Sequence, residues 1–141
     1  MPAFSQSSKD QLATCDARLQ AILNEAIRFI DFKVLEGHRG EAAQNAAVAA
    51  GKSKKPWPTG NHNSMPSRAV DIAPVFHDAG APINWKDIPA FARLMGYCER
   101  IAQERAIRIR LGMDWDMDFR TATFDPGENF LDAPHLELVD P

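Results

Sequence analysis

The feature that most constrains this chain is one apolar stripe. Ile88, Phe91, Leu94, Met95, Cys98 and Ile101 recur at helical spacing and predict a long amphipathic helix over 85–106. A helix with one apolar face must be covered by other elements. A second stripe, Leu12, Leu19, Ile22, Leu23, Ala26 and Ile27, predicts a helix over 8–26 with Ser7 or Ser8 as its cap. The alanine-rich 40–50 reads as a short helix closed by Gly51. Short alternating segments at 29–35, 68–76, 107–112 and 135–139 read as strands, with Ile107, Ile109 and Leu111 on one side of IRIRLG and arginines on the other. Helices and strands are mixed without a regular βαβ beat, so the class is α+β.

Two segments lack periodicity. GKSKKPWPTGNHNSMPS and MDWDMDFRTATFDPGENFLDAP are long loops, and in small domains long loops usually carry function. The chain's 141 residues fit one domain, 1–141, large enough to bury a core without staples. A net charge of −3 with scattered basic residues argues against nucleic acid as a partner. Cys15 and Cys98 lie far apart without metal or redox spacing, and read as buried thiols of a protein made in a reducing cytosol. The first residues lack the basic start and apolar run of a signal peptide. No apolar run approaches the roughly 18 residues of a membrane span, so no membrane insertion is expected.

His62 and His135 stand at the edges of the two loops, with Asp71 nine residues after the first and Asp132 three before the second. Two histidines and one aspartate form a ligand set of the kind a catalytic zinc uses, with a fourth position left for water. The remaining acid is then free to act as a general base. On residue types alone, Asp71 capping a turn before Pro74 and Asp132 capping the start of HLEL are equally open.

The context of these residues resembles the zinc D-Ala-D-Ala carboxypeptidase and L-alanyl-D-glutamate endopeptidase family, which includes many phage endolysins. The resemblance rests on His62, then Ser67-Arg68-Ala69-Val70-Asp71, then Asp132-Ala133-Pro134-His135. VLEGHRGEAAQ also resembles a family segment and places Arg39 and Gln44. The match spans roughly residues 8 to 139. His62 and Asp71 are two residues further apart than in many members, because Met65-Pro66 lengthens the loop.

The resemblance implies an antiparallel sheet flanked by helices, similar to hedgehog and D-Ala-D-Ala peptidase domains. It implies one Zn²⁺ per chain held by His62, Asp71 and His135, with Asp132 as general base. Pro134 would present base and ligand together. Arg39 would stabilise an oxyanion or grip a substrate carboxylate. The implied function is zinc-dependent hydrolysis of peptidoglycan stem peptides at the L-Ala–D-Glu bond, by a phage or prophage endolysin causing host lysis. Such an enzyme would wait in the host cytoplasm, reach the cell wall after release, and act as a monomer. The alternatives are a D-Ala-D-Ala carboxypeptidase, or a non-catalytic zinc-binding module of the same fold. Asp114, Asp116 and Asp118 alternate in a way that suits Ca²⁺, though without the glycine and distal glutamate of an EF-hand. His38 and His77 carry no motif and read as polar surface residues. Trp57 reads as a loop anchor or a wall for glycan or peptide.

Overall fold

The structure is a computed structural model that describes residues 2–75, 81–121 and 130–139. Its elements run α1 (Gln6–Leu12), α2 (Ala17–Ala26), β1 (Phe32–Glu36), α3 (Glu41–Ala49), β2 (Ala69–Pro74), α4 (Ile88–Glu104), β3 (Ile109–Leu111) and β4 (His135–Leu138). A short 3-10 turn, Asn61–Asn63, precedes β2. The strands form one antiparallel sheet in the order β1-β2-β4-β3. This is the α+β arrangement expected from the sequence.

One face of the sheet is apolar. Val34, Val70, Ile72, Leu136 and Leu138 are buried there with Leu19, Ile22 and Leu23 of α2 and with Phe91, Leu94, Met95 and Cys98 of α4. The stripe on α4 therefore does what its spacing predicts. Asp87 caps that helix by accepting from the Ala90 amide at 3.2 Å, which starts it later than expected.

The single helix expected over 8–26 is instead two. Asp16 caps α2 by accepting from the Arg18 amide at 2.9 Å, and Thr14 donates to the Gln11 carbonyl at 2.7 Å. The break is fastened to the start of β2: Asp16 N donates to Ser67 O and Ser67 N to Thr14 O, both at 2.8 Å. The first helix is capped by Ser5 rather than Ser7 or Ser8. Ser8 is buried, and its hydroxyl accepts from the Val34 amide at 3.0 Å. Both cysteines are free and buried. Burial pushes their thiols up, Cys15 to about 11 and Cys98 to about 12, as expected of inert core groups.

Register sets up the polar face. Phe32, Lys33 and Val34 pair with Pro74, Ala73 and Ile72, after which β1 slips by one residue and Glu36 stands opposite Asp71. Asp71 in turn faces His135 across β2 and β4. Glu36, Asp71 and His135 thus form one row across three strands. Glu137, two residues beyond His135 and so on the same face of β4, stands opposite Arg110.

Candidate active site

Three residues from three segments meet on the polar face. His62 comes from the turn before β2, Asp71 from β2 and His135 from the first position of β4. His62 Nε2 lies 3.3 Å from His135 Nδ1, and Asp71 Oδ1 lies 3.3 Å from each. The other ring nitrogens are already committed. His62 Nδ1 is 2.7 Å from the Gly37 carbonyl oxygen, and His135 Nε2 is 2.8 Å from Glu137 Oε1. Both outer partners are acceptors, so each outer nitrogen carries the hydrogen and each inner nitrogen presents a lone pair.

With both rings neutral, two nitrogen lone pairs and a carboxylate oxygen converge with no donor between them. That arrangement demands a cation. The charges register the same demand: burial alone would lower the His135 pKa, but hydrogen bonds to Asp71 and Glu137 outweigh it and push the ring up to about 9. Burial would likewise raise Asp71, yet the His135 and His62 rings facing it hold it well below the usual carboxylate range. A metal ion meets this demand with chemistry a proton lacks. In tetrahedral zinc sites, bonds near 2.0–2.1 Å put neighbouring ligand atoms about 3.3 Å apart. The observed triangle has that edge, so the donor set fits zinc in type and spacing.

Asp132 sits beside the triangle and outside it, with Oδ2 3.9 Å from His135 Nδ1. Burial raises its pKa, and nearby Asp71 raises it further, against the pull of His135. A carboxylate made more basic in this way suits proton transfer. Gly112 fixes its position: Gly112 N donates to His135 O, and Asp132 N donates to Gly112 O, both at 2.8 Å. A Cβ at Gly112 would collide with the Asp132 carbonyl oxygen and lie 2.8 Å from His135 Cβ. Gly112→Ala is expected to cost about 1–3 kcal/mol, as overpacking does, read as a lower Tm by circular dichroism.

Arg39 lies half-buried beside the cluster with its donors committed. Its Nε lies 2.7 Å from Glu36 Oε1, one terminal nitrogen 3.1 Å from Gln44 Oε1, and the other 3.8 Å from Asp71 Oδ2. Gln44 is fully buried and uses all its capacity. Its oxygen also accepts from Asn63 Nδ2 at 3.0 Å, and its nitrogen donates to Ser53 Oγ at 2.9 Å and Lys55 O at 2.6 Å.

Three contributors were not singled out from the sequence. Glu137 orients His135 and is itself held by Arg110 at 2.7 Å; burial would raise its pKa, but the bonds from His135 and Arg110 take it down to about 2. The signal was present in HLEL, since residues two apart on a strand share a face. The Gly37 carbonyl, which sets the tautomer of His62, leaves no such trace in residue identity. Trp115 was also passed over; its ring lies tilted against His135, with centroids 5.4 Å apart.

The remaining candidates lie apart from the triangle. His38 ties the loop by placing Nδ1 3.0 Å from Ser64 O. Trp57 is half-buried in its loop and does not line the cleft. Carboxylate oxygens of Asp114, Asp116 and Asp118 lie within 4.8 Å of one another. Asp114 accepts from the amides of Asp118 at 3.1 Å and Phe119 at 2.9 Å, so it also closes its own loop. His77 lies outside the described residues. The cleft over the triangle holds about 1280 Å³ and is walled by Trp85, Ile88, Trp115, Phe130 and the 52–55 segment.

No helix among the described residues is long and apolar enough to cross a membrane. A search of the curated proteins finds no match. Among solved structures, the Serratia marcescens L-Ala D-Glu endopeptidase ChiX is similar, with a TM-score of 0.73 over 98% of this chain and 91% of that one. The two are 23% identical, a likeness of fold. The model of the phage L-alanyl-D-glutamate peptidases matches residues 2–139, and the chain belongs to this family of peptidases acting on peptidoglycan.

Proposed function

We propose that residues 1–141 form one zinc peptidase domain that holds a single Zn²⁺ through His62, Asp71 and His135 and cleaves the L-Ala–D-Glu amide of stem peptides. The observation that carries this reading is the convergence of two bare ring nitrogens and one carboxylate oxygen at mutual distances of 3.3 Å. Bound there, Zn²⁺ would supply Lewis-acid polarisation of the scissile carbonyl and a nucleophilic water near neutral pH. Asp132 takes a proton from the attacking water and delivers it to the leaving D-Glu nitrogen as the carbon–nitrogen bond breaks. Its place beside the ligands, outside their triangle, and its raised basicity support that role.

Arg39 acts as a positioning residue. With its guanidinium bound to Glu36 and Gln44 and close to Asp71, it aims the carboxylate whose other oxygen faces the histidines. Glu137 does the same for His135. Outer partners of this kind typically account for 10–100-fold in metal affinity. Glu137→Gln is therefore expected to weaken zinc binding by roughly that factor, measured by competition with a chelating dye.

In the cell, the domain works as the endolysin of a phage or prophage, a monomer held in the host cytoplasm until lysis and then acting on the wall. The Asp114, Asp116 and Asp118 carboxylates would serve as a Ca²⁺ site, a reading supported by their mutual proximity. Calcium added to chelated protein would then raise Tm, and an unchanged Tm would remove that ion. The primary test is mass spectrometry of peptidoglycan digested with zinc-loaded and with chelated protein. New amino termini at D-Glu, formed only with metal, are expected. Loss of terminal D-Ala would make it a carboxypeptidase, and no cleavage by the zinc-loaded chain would overturn the mechanism.

A further inference from the structure

The run Lys52-Ser53-Lys54-Lys55 is unexplained by metal binding or by proton transfer. It walls the cleft in a chain whose net charge is −3. It is also built in place. Gly51, at φ 75°, ends α3 with its amide on Val48 O at 3.1 Å, while the Lys52 amide bonds Ala47 O at 2.9 Å. This is the paired bonding of a Schellman stop. Beyond it, buried Gln44 grips Ser53 Oγ and Lys55 O, and Gln44 in turn holds Arg39. The basic run is thus tied to the residues around Asp71 through a continuous set of hydrogen bonds.

The ammonium of Lys54 has a defined seat. Its Nζ lies 4.6 Å from the centre of the Phe130 ring, Phe130 stacks on Trp115 at 6.1 Å, and Trp115 lies against His135. Attraction to the ring face holds the charge above the cleft without neutralising it. None of the three lysines pairs with a carboxylate among the described residues. The cleft's other cations are spent: Arg39 on Glu36, and Arg110 on Glu137. A divalent ion would balance Asp71 and Asp132. Among the described residues Asp116 is the remaining acid of the lining, so there the three lysines leave the wall positive.

D-Glu has two carboxyl groups, and only one continues the peptide. The other is a free anion next to the scissile bond unless it is amidated. Resting on the peptidase reading above, we infer that the 52–55 wall, through Lys54 above all, reads the free carboxylate of D-Glu, so that the enzyme selects stems with D-Glu over stems with D-isoglutamine.

The test uses two synthetic stem peptides that differ only in that carboxylate and its carboxamide. Exposed ion pairs are worth a fewfold each, so zinc-loaded wild type is expected to favour the acid by roughly five- to tenfold in kcat/KM, mostly through KM. Lys54→Gln should bring the ratio within about twofold, and Lys54→Arg should restore the preference. Raising the salt concentration should shrink it. Equal rates on both peptides in wild type, or a preference that survives Lys54→Gln, would overturn the inference. If zinc-loaded wild type cleaves neither peptide, the peptidase mechanism fails, and equilibrium binding of the same two peptides decides the subsite. Tighter binding of the acid that Lys54→Gln abolishes upholds it, and equal binding overturns it.

Discussion

Asp132→Asn is expected to lower kcat by about 10²–10⁴-fold while zinc content stays at one ion per chain. The amide keeps the size of the carboxylate, so the 112–135 segment has no reason to move, and Gly112 continues to bridge residues 132 and 135. What is lost is the ability to take a proton from water and return it to the leaving nitrogen. The metal should stay because Asp132 Oδ2 stands 3.9 Å from His135 Nδ1, beyond the 3.3 Å spacing of the three converging atoms. Elemental analysis and kinetics on one preparation separate the roles. Loss of zinc together with activity would make Asp132 a ligand, and retained activity would move the base elsewhere.

The site was more legible in the sequence than the elements around it. His62, Asp71, Asp132 and His135 were singled out because metal chemistry restricts residue type and leaves recognisable motifs. The structure brings three of them to one point and sets the fourth beside it. Ser67 was part of the same motif, and its place has a local reason: its backbone pins the α1–α2 break to the start of β2. That break was not legible. Apolar spacing continues from Leu12 to Leu19, and nothing in periodicity shows that Thr14 and Asp16 turn their side chains back onto the backbone to end one helix and begin another.

Arg39 shows a different limit. Its position near the site was readable, but a guanidinium can face substrate or scaffold, and residue identity does not distinguish them. The slipped register after Val34 sets Glu36 opposite Asp71, where it pairs with Arg39. The lysine wall was likewise visible as letters in a Gly- and Pro-rich loop. Only the fold shows Gln44 fastening that loop above His62, Asp71 and His135.

Removing any one of the three ligands should have the largest effect of all. His62→Ala, Asp71→Ala and His135→Ala are each expected to abolish measurable hydrolysis and to lose the bound zinc. A loaded site also stabilises the chain by mass action, about 2.7 kcal/mol when free metal is a hundredfold above its dissociation constant. Chelated wild type should therefore melt at lower temperature, and the variants should no longer respond to added zinc. The fold itself should persist. The buried apolar residues of α2, α4 and the sheet lie on the face away from the ligands, so far-ultraviolet circular dichroism should change little. In this respect the chain differs from zinc fingers, which unfold without their metal. Reversibility distinguishes the cases: zinc should restore activity to chelated wild type and not to any ligand variant. Chelated protein that hydrolysed at the full rate would remove the metal from the mechanism, and a ligand variant rescued by excess zinc would show that two of the three donors suffice.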